Sequence, residues 1–91
     1  MEDPVKYYPI AIIQDRYGGI YSGGRWLAIA NSNLPVGNMS RVDFVLCDDG
    51  VGPSGCDDEA MEYWKAPDDW IAAGGTPDEA MKNLLTRAQL V

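Results

Sequence analysis

The stretch RWLAIAN, residues 25–31, constrains the fold more than any other segment. Successive side chains of a strand point to opposite faces of a sheet. The apolar side chains here fall on both faces, with Trp26, Ala28 and Ala30 on one and Leu27 and Ile29 on the other. The pattern therefore predicts a strand that is central in its sheet or covered by helices.

The sequence TPDE, residues 76–79, predicts the start of a helix. Thr76 is the expected N-cap, Pro77 takes the first helical position, and Glu79 completes a capping box. Helical spacing then places four apolar side chains on one face of a helix that runs to about residue 89: Met81, Leu84, Leu85 and Ala88. This face is expected to pack on the sheet.

The glycine-rich stretch YGGIYSGGRW, residues 17–26, raises the question of a phosphate-binding loop. Such a loop would have a lysine and a hydroxyl after its last glycine, whereas Arg25 and Trp26 follow here, and the spacing G-x-G-x-x-G is absent. Gly18-Gly19 instead favours a tight hairpin turn. Residues 20–21 would then form a short return strand, and residues 22–24 a second turn or a bulge.

The other segments complete a prediction of an α+β fold. Residues 6–14 read as a strand with Pro9 at its start or on an edge, and residues 31–38 read as a loop. Residues 40–50 favour a helix capped by Ser40 and closed by Gly50, although a strand fits their composition as well.

The second half of the chain adds a short acidic helix over 57–65, which ends before Pro67, and a strand around 70–73. The sequence thus predicts one α+β domain over residues 1–91. In it, a small antiparallel sheet of three or four strands packs against a C-terminal helix and the shorter acidic helix.

The net charge of −7 is unevenly distributed. Residues 43–79 contain eleven acids and one base, Lys65, while residues 1–42 contain three acids and four bases. An acidic surface repels nucleic acid and attracts basic protein surfaces. The simpler interpretation is that the acids only keep the chain in solution.

Aromatic residues stand beside the acids in Glu62-Tyr63-Trp64 and in Asp68-Asp69-Trp70. Large aromatics usually belong to the core of a small domain. Where exposed, however, such a surface suits arginine and lysine side chains through charge pairing and cation–π contact. The predicted partner-binding residues are Asp48, Asp49, Asp57, Asp58, Glu59, Glu62, Tyr63, Trp64, Asp68 and Asp69.

The chain contains no histidine, which removes the commonest general base and the commonest zinc ligand. Cys47 and Cys56 are expected to be reduced thiols, one or both buried, with a disulfide as the alternative. Adjacent acids on loops do not set the spacing that a two-metal site or a glycosidase requires. We therefore expect no catalytic residues, no metal and no cofactor, with weak divalent binding near residues 47–58 left open.

No apolar run reaches about 18 residues, so no membrane span is expected. The N-terminal sequence MEDPVKYYPI lacks the basic-then-apolar order of a signal peptide. A cytoplasmic location is the resulting prediction.

Three resemblances bear on function. The stretches PIAIIQDRYGGIYSGGRWLAI and WIAAGGTPDEAMKNL resemble small uncharacterised proteins encoded by phages and their bacterial hosts. A strand followed by a tyrosine, a glycine turn and G-[RK]-W is similar to the first domain of the ArdA antirestriction family, whose acidic members mimic DNA. Four residues carry that likeness: Tyr17, Gly24, Arg25 and Trp26. The early strands and the final helix are similar to HicB-type antitoxins, through Gly75, Thr76, Glu79 and Ala80.

Together these resemblances and the charge imply a non-catalytic acidic phage-type protein, located in the host cytoplasm. It would bind and inhibit a basic nucleic-acid-handling host-defence factor, as anti-restriction and anti-CRISPR proteins do. The alternative is a HicB-like antitoxin or another small protein-binding module. The expected partner is a basic protein surface rather than nucleic acid or a membrane, and a homodimer is left open.

Overall fold

The computed structural model of the chain describes residues 7–47 and 52–89. It confirms the predicted α+β class. Within those ranges the chain forms, in order, β1 (Ala11–Gln14), β2 (Trp26–Ile29), β3 (Pro35–Val36), β4 (Met39–Ser40), α1 (Arg41–Leu46), α2 (Asp57–Lys65), β5 (Ile71–Gly74) and α3 (Pro77–Gln89).

The main sheet has three antiparallel strands in the order β1-β2-β5, so the central strand is β2. Its register places Ile12 of β1 and Ala72 of β5 on either side of Ala28. Strands β3 and β4 form a separate ladder of two residues each. β3 lies within residues 31–38, which were predicted as a loop, and β4 follows that segment directly.

One face of the sheet is covered by α3. Ala28 and Ala30 are buried there against Ala80 and Leu84 of the helix, and Trp26 packs against the same cluster. Small side chains on the sheet allow the helix to approach closely. Leu84 therefore lies in the core as its helical spacing predicts, while the side chain of Ala88 lies outside the described part.

The opposite face of the sheet is covered by α1 and α2. Leu27 and Ile29 are buried there with Val45 of α1, and Tyr63 and Trp64 of α2 pack against them. The central strand therefore has helices on both faces, as its two apolar faces predict. Both layers meet the sheet through alternate residues of the same strand.

The start of α3 confirms the predicted cap. Thr76 Oγ1 accepts a hydrogen bond from the Glu79 N–H at 3.1 Å. In return, Glu79 Oε1 accepts from the N–H of Gly75 at 2.9 Å, one residue earlier than a standard capping box requires. Both side chains satisfy backbone donors that would otherwise have no partner.

Three small residues bring the turn, the sheet and α3 into backbone contact. A Cβ on Gly24 would lie 2.6 Å from the backbone nitrogen of Gly74. A Cβ on Gly74 would in turn lie 2.7 Å from Cα of Ala80. Since real Cβ atoms do not approach backbone so closely, glycine is required at both positions for reasons of space.

Several boundaries differ from the sequence prediction. The first strand covers residues 11–14 rather than 6–14, and the last covers 71–74 rather than 70–73. Residues 40–50 begin as the predicted helix, with Ser40 Oγ accepting from the Asp43 N–H at 3.3 Å, but α1 ends at Leu46. Gly50, the predicted closing residue, lies outside the described residues.

The predicted return strand at residues 20–21 is wrong. Residues 16–22 form successive turns that connect β1 to β2. Gly18 and Gly19 do take the positive φ angles expected of turn glycines, at 65° and 96°. The connection is thus a long loop between two paired strands, and its residues Arg16 and Tyr17 bind a distant segment, as described below.

Candidate protein-binding surface

The acidic side chains of α2 begin at its first turn, where negative charge favours the helix dipole. Asp57, Asp58 and Glu62 are exposed, and Glu59 is half-buried. Lys65 forms an ion pair with Glu62 at 3.0 Å, and both of these side chains are largely exposed. Exposed pairs of this kind contribute little free energy, so a basic side chain of a partner can replace Lys65 at Glu62 at little cost.

The opposite side of α2 attaches the helix to the sheet. Ala60 is fully buried, and the rings of Tyr63 and Trp64 meet edge to face with centroids 5.2 Å apart. Phe44 of α1 lies 6.1 Å from the Tyr63 ring. The predicted aromatic anchors are therefore half-buried core residues that orient the acidic side of the helix, and they do not share its exposed face.

The loop after α2 returns two further predicted residues to the same region. Tyr63 Oη donates a hydrogen bond to Asp68 Oδ2 at 3.0 Å, and Asp69 is exposed beside it. Burial first, and then the charge and hydrogen bond of Asp68, raise the pKa of Tyr63 above its ordinary value of 10.0. The tyrosine therefore stays protonated as a donor, and Asp68 is fixed next to the helix.

The glycine-rich turn supports the N-terminal end of α2. Tyr17 Oη donates to the carbonyl of Gly55, and Arg16 Nη1 donates to the carbonyl of Ser54 at 2.5 Å. Partial desolvation raises the pKa of Tyr17; Arg16 opposes this, and the carboxylate of Asp57 adds to it. These contacts join the turn to residues 52–55, which are buried immediately before the acidic helix.

Inside the turn, a carboxylate occupies the place where a phosphate loop would offer its N–H groups to a ligand. Asp15 is only 6% exposed, and its Oδ2 accepts from the N–H of Gly19 at 2.7 Å and from Ser22 Oγ at 3.2 Å. The turn therefore binds its own side chain rather than an external anion. Asp15 was not among the predicted site residues, although an aspartate three residues before a glycine is a common turn signal.

Six of the ten predicted binding residues lie on α2 or in the loop that follows it, and five of the six are exposed. They are Asp57, Asp58, Glu59, Glu62, Asp68 and Asp69. Tyr63 and Trp64 lie on the side of α2 that packs on the core, and Asp48 and Asp49 lie outside the described residues. Asp78 and Glu79 belong to α3 on the other face of the sheet, so they do not contribute.

The remaining chemistry of the described residues is sparse. The structure does not link Cys47 to Cys56; the first is half-buried and the second exposed, so the expected burial of one or both is wrong. Among residues 7–47 and 52–89, no three metal-binding side chains converge. In the same part of the chain, no helix is both long and apolar enough to cross a membrane.

Comparison of the chain with protein-family models, curated proteins and solved structures found no significant match. The likenesses to phage proteins, ArdA and HicB therefore stay predictions. The residues that carry the HicB likeness already have a structural role, because Thr76 and Glu79 cap α3 and Gly75 donates to that cap.

Proposed function

We propose that this chain is a non-catalytic protein that binds a basic protein surface through the acidic side of α2 and the loop that follows it. The observation that carries the proposal is the grouping of six acids with one lysine over residues 57–69, five of those acids being exposed. Opposite charges across an interface speed association and exclude partners of the wrong sign.

The acidic surface of α2 is held rigidly by contacts on the other side of the helix and before its first turn. Tyr63 and Trp64 fix one side of α2 to the core, and Tyr17 fixes the segment before it. A preorganised surface loses less conformational entropy on binding than a mobile one. Met61, at 42% exposure, lies one helical turn after Asp57 and Asp58 and offers an apolar contact beside these charges.

The kind of partner follows from the charge. A protein that handles nucleic acid carries a basic surface to bind phosphates. An acidic protein bound there would block that surface, and the chain would then act as an inhibitor. A host-defence nuclease of the restriction or CRISPR kind is the target that we propose, with the chain encoded by a phage and acting in the host cytoplasm.

The test compares capture from bacterial lysate by the tagged chain and by two double variants. Asp58→Lys with Glu62→Lys reverses two acids of α2, and Asp43→Lys with Asp78→Lys reverses two exposed acids on the other helices. Each reversal adds two positive charges, so both variants have the same net charge. We expect the α2 variant to lose the partner and the control to retain it.

Bound proteins are eluted at low and then at high salt and identified by mass spectrometry. A basic nuclease that leaves at high salt supports the proposal, because screening weakens contacts between exposed charges. The purified nuclease is then assayed with the chain added, and inhibition is expected. Equal capture by the wild-type chain and the α2 variant would refute the proposed site, and a small toxin that resists salt would favour an antitoxin.

A further inference from the structure

The outer edge of β1 carries backbone groups that point away from the sheet. The N–H of Asp15 donates to the carbonyl of Arg25 at 2.7 Å, and the carbonyl of Pro9 accepts from the Ser32 N–H at 2.8 Å. Backbone direction alternates along a strand, so odd-numbered residues of this segment face β2. Ile10, Ile12 and Gln14 therefore present their N–H and C=O groups outwards, where the described part of the chain places no further strand.

The other edge of the sheet is partly blocked. Trp70 O accepts from the Ala30 N–H at 2.9 Å, so alternation turns the carbonyl of Ala73 outwards along β5. That carbonyl accepts from Asn83 Nδ2 of α3 at 2.8 Å. A side chain of α3 thus occupies part of the β5 edge, and among the described residues the β1 edge is the more available of the two.

The chemistry of the β1 edge suits an uncharged contact. Residues 7–14, YYPIAIIQ, contain no charged side chain in a chain of net charge −7. Ile12 is 39% exposed and Tyr8 is 52% exposed. Edge strands are usually protected by charges, prolines or bulges, and β1 itself contains neither a charge nor a proline. Two acidic chains repel each other least where such a neutral segment meets its own copy.

We infer that β1 pairs antiparallel with β1 of a second copy, with Ile12 on the two-fold axis. A two-fold axis perpendicular to the sheet keeps each face on its own side, so paired residues must point to the same face. Centring on Ile12 also pairs Ile10 with Gln14 of the second copy. Ile10, Ile12 and Gln14 then all exchange backbone hydrogen bonds with the second copy. Shifting the register leaves at least one of these three residues unpaired.

This pairing joins two three-stranded sheets into one of six strands. Ile12 lies opposite Ala28, so it is on the face covered by α3. The two Ile12 side chains would meet across the axis, about 5.5 Å apart at Cα, and cover each other's exposed surface. The acidic side of α2 belongs to the other face, so the inference does not depend on the proposed function.

Sedimentation velocity of the untagged full chain over a range of concentrations tests the pairing. The wild-type chain is expected to form a species of twice the 10.0 kDa chain mass. Ile12→Lys places two like charges on the axis and should weaken self-association about tenfold or more. The matched control is Ile20→Lys, the same substitution at a side chain that is 77% exposed in the turn; it should leave the dimer intact.

Gln14→Pro is a second variant of the same edge, which tests the pairing independently if the Ile12 variant misfolds. It removes an outward-facing N–H and leaves the hydrogen bonds between β1 and β2 in place. Circular dichroism confirms that each variant folds, and a folded monomer is expected for both edge variants. A wild-type chain that stays monomeric up to its solubility limit, or a dimer that persists in both edge variants, would overturn the inference.

Discussion

The carboxylate of Asp15 and the backbone N–H of Gly19 are joined by a hydrogen bond of 2.7 Å inside the glycine-rich turn. Asp15 is the first residue after β1, and its own N–H continues the ladder to Arg25. One residue therefore ends the strand and organises the turn that follows. The turn then delivers Tyr17 to the segment before the acidic helix.

Replacing Asp15 with alanine is expected to destabilise the fold by about 2–3 kcal/mol, because the N–H of Gly19 and the hydroxyl of Ser22 lose a charged acceptor. Urea denaturation measures the change. Ser22→Ala leaves the bond between Asp15 and Gly19 in place and removes a neutral hydroxyl, which lies 3.2 Å from Asp15 Oδ2 and 2.8 Å from the carbonyl of Gly24. It should cost about 1 kcal/mol. An Asp15→Ala variant as stable as the Ser22→Ala variant would show that the carboxylate does not organise the turn.

Two adjacent glycines should respond differently to the same substitution. Gly74→Ala forces a Cβ into the backbone of Ala80 and is expected to cost about 3 kcal/mol or more, since backbone atoms cannot rotate away. In Gly75→Ala the new Cβ would meet only Glu79 Oε1, at 3.6 Å, and the cost should stay within about 1 kcal/mol. Thermal unfolding of the pair provides the comparison, and equal costs would contradict the close approach of α3 to the sheet.

The cap of α3 allows a double-mutant cycle. Thr76→Ala and Glu79→Ala each remove an acceptor from a backbone N–H, and each is expected to lower the free energy of unfolding by about 1 kcal/mol. Because the two bonds close the same turn, the double variant should lose less than the sum of the single variants. Strict additivity in denaturant titrations would indicate that the two bonds act independently.

Tyr63 should make stability depend on pH in the alkaline range. Its pKa is higher in the folded chain than in the unfolded chain. The folded state therefore favours the protonated tyrosine, and this contribution is complete below the unfolded-state pKa of about 10 and is lost as the pH rises above it. Unfolding measured on both sides of that pH should show the loss.

Two variants identify the source of that dependence. Tyr63→Phe should remove the part due to this residue, and it also removes the hydrogen bond to Asp68. Asp68→Asn should reduce the dependence without abolishing it, because burial is the larger cause of the raised pKa. An Asp68→Asn variant that behaves like Tyr63→Phe would assign the shift to the carboxylate instead.

The parts of the fold that the sequence predicted depend on local periodicity and local hydrogen bonds. The two apolar faces of residues 25–31 correctly indicated a central strand, and TPDE correctly indicated the start of α3. The prediction of a return strand at residues 20–21 failed because the conformation of the turn depends on the hydrogen bond from Tyr17 to Gly55, which lies 38 residues away. No local pattern encodes that contact.

The candidate site was predictable to a similar degree. Acids in the first turn of α2 follow from composition, but the roles of Tyr63 and Trp64 depend on which side of the helix meets the sheet. The spacing of Ala60, Tyr63 and Trp64 at i, i+3 and i+4 places all three on one helical face, which indicates the packed side of the helix. In the structure Ala60 is buried on that side. The approach of Asp68 to Tyr63 depends on the path of the loop after α2, which side-chain periodicity does not describe.

The contact among Gly24, Gly74 and Ala80 has a consequence for how this chain can diverge. No side chain separates the turn, the end of β5 and the first turn of α3, so exchanging one side chain for another cannot adjust their spacing. Surface acids can be replaced one at a time in a descendant, whereas these three positions must change together or remain small. Descendants of this chain should therefore keep three small residues, spaced fifty and six positions apart, even where their surface charges have been replaced.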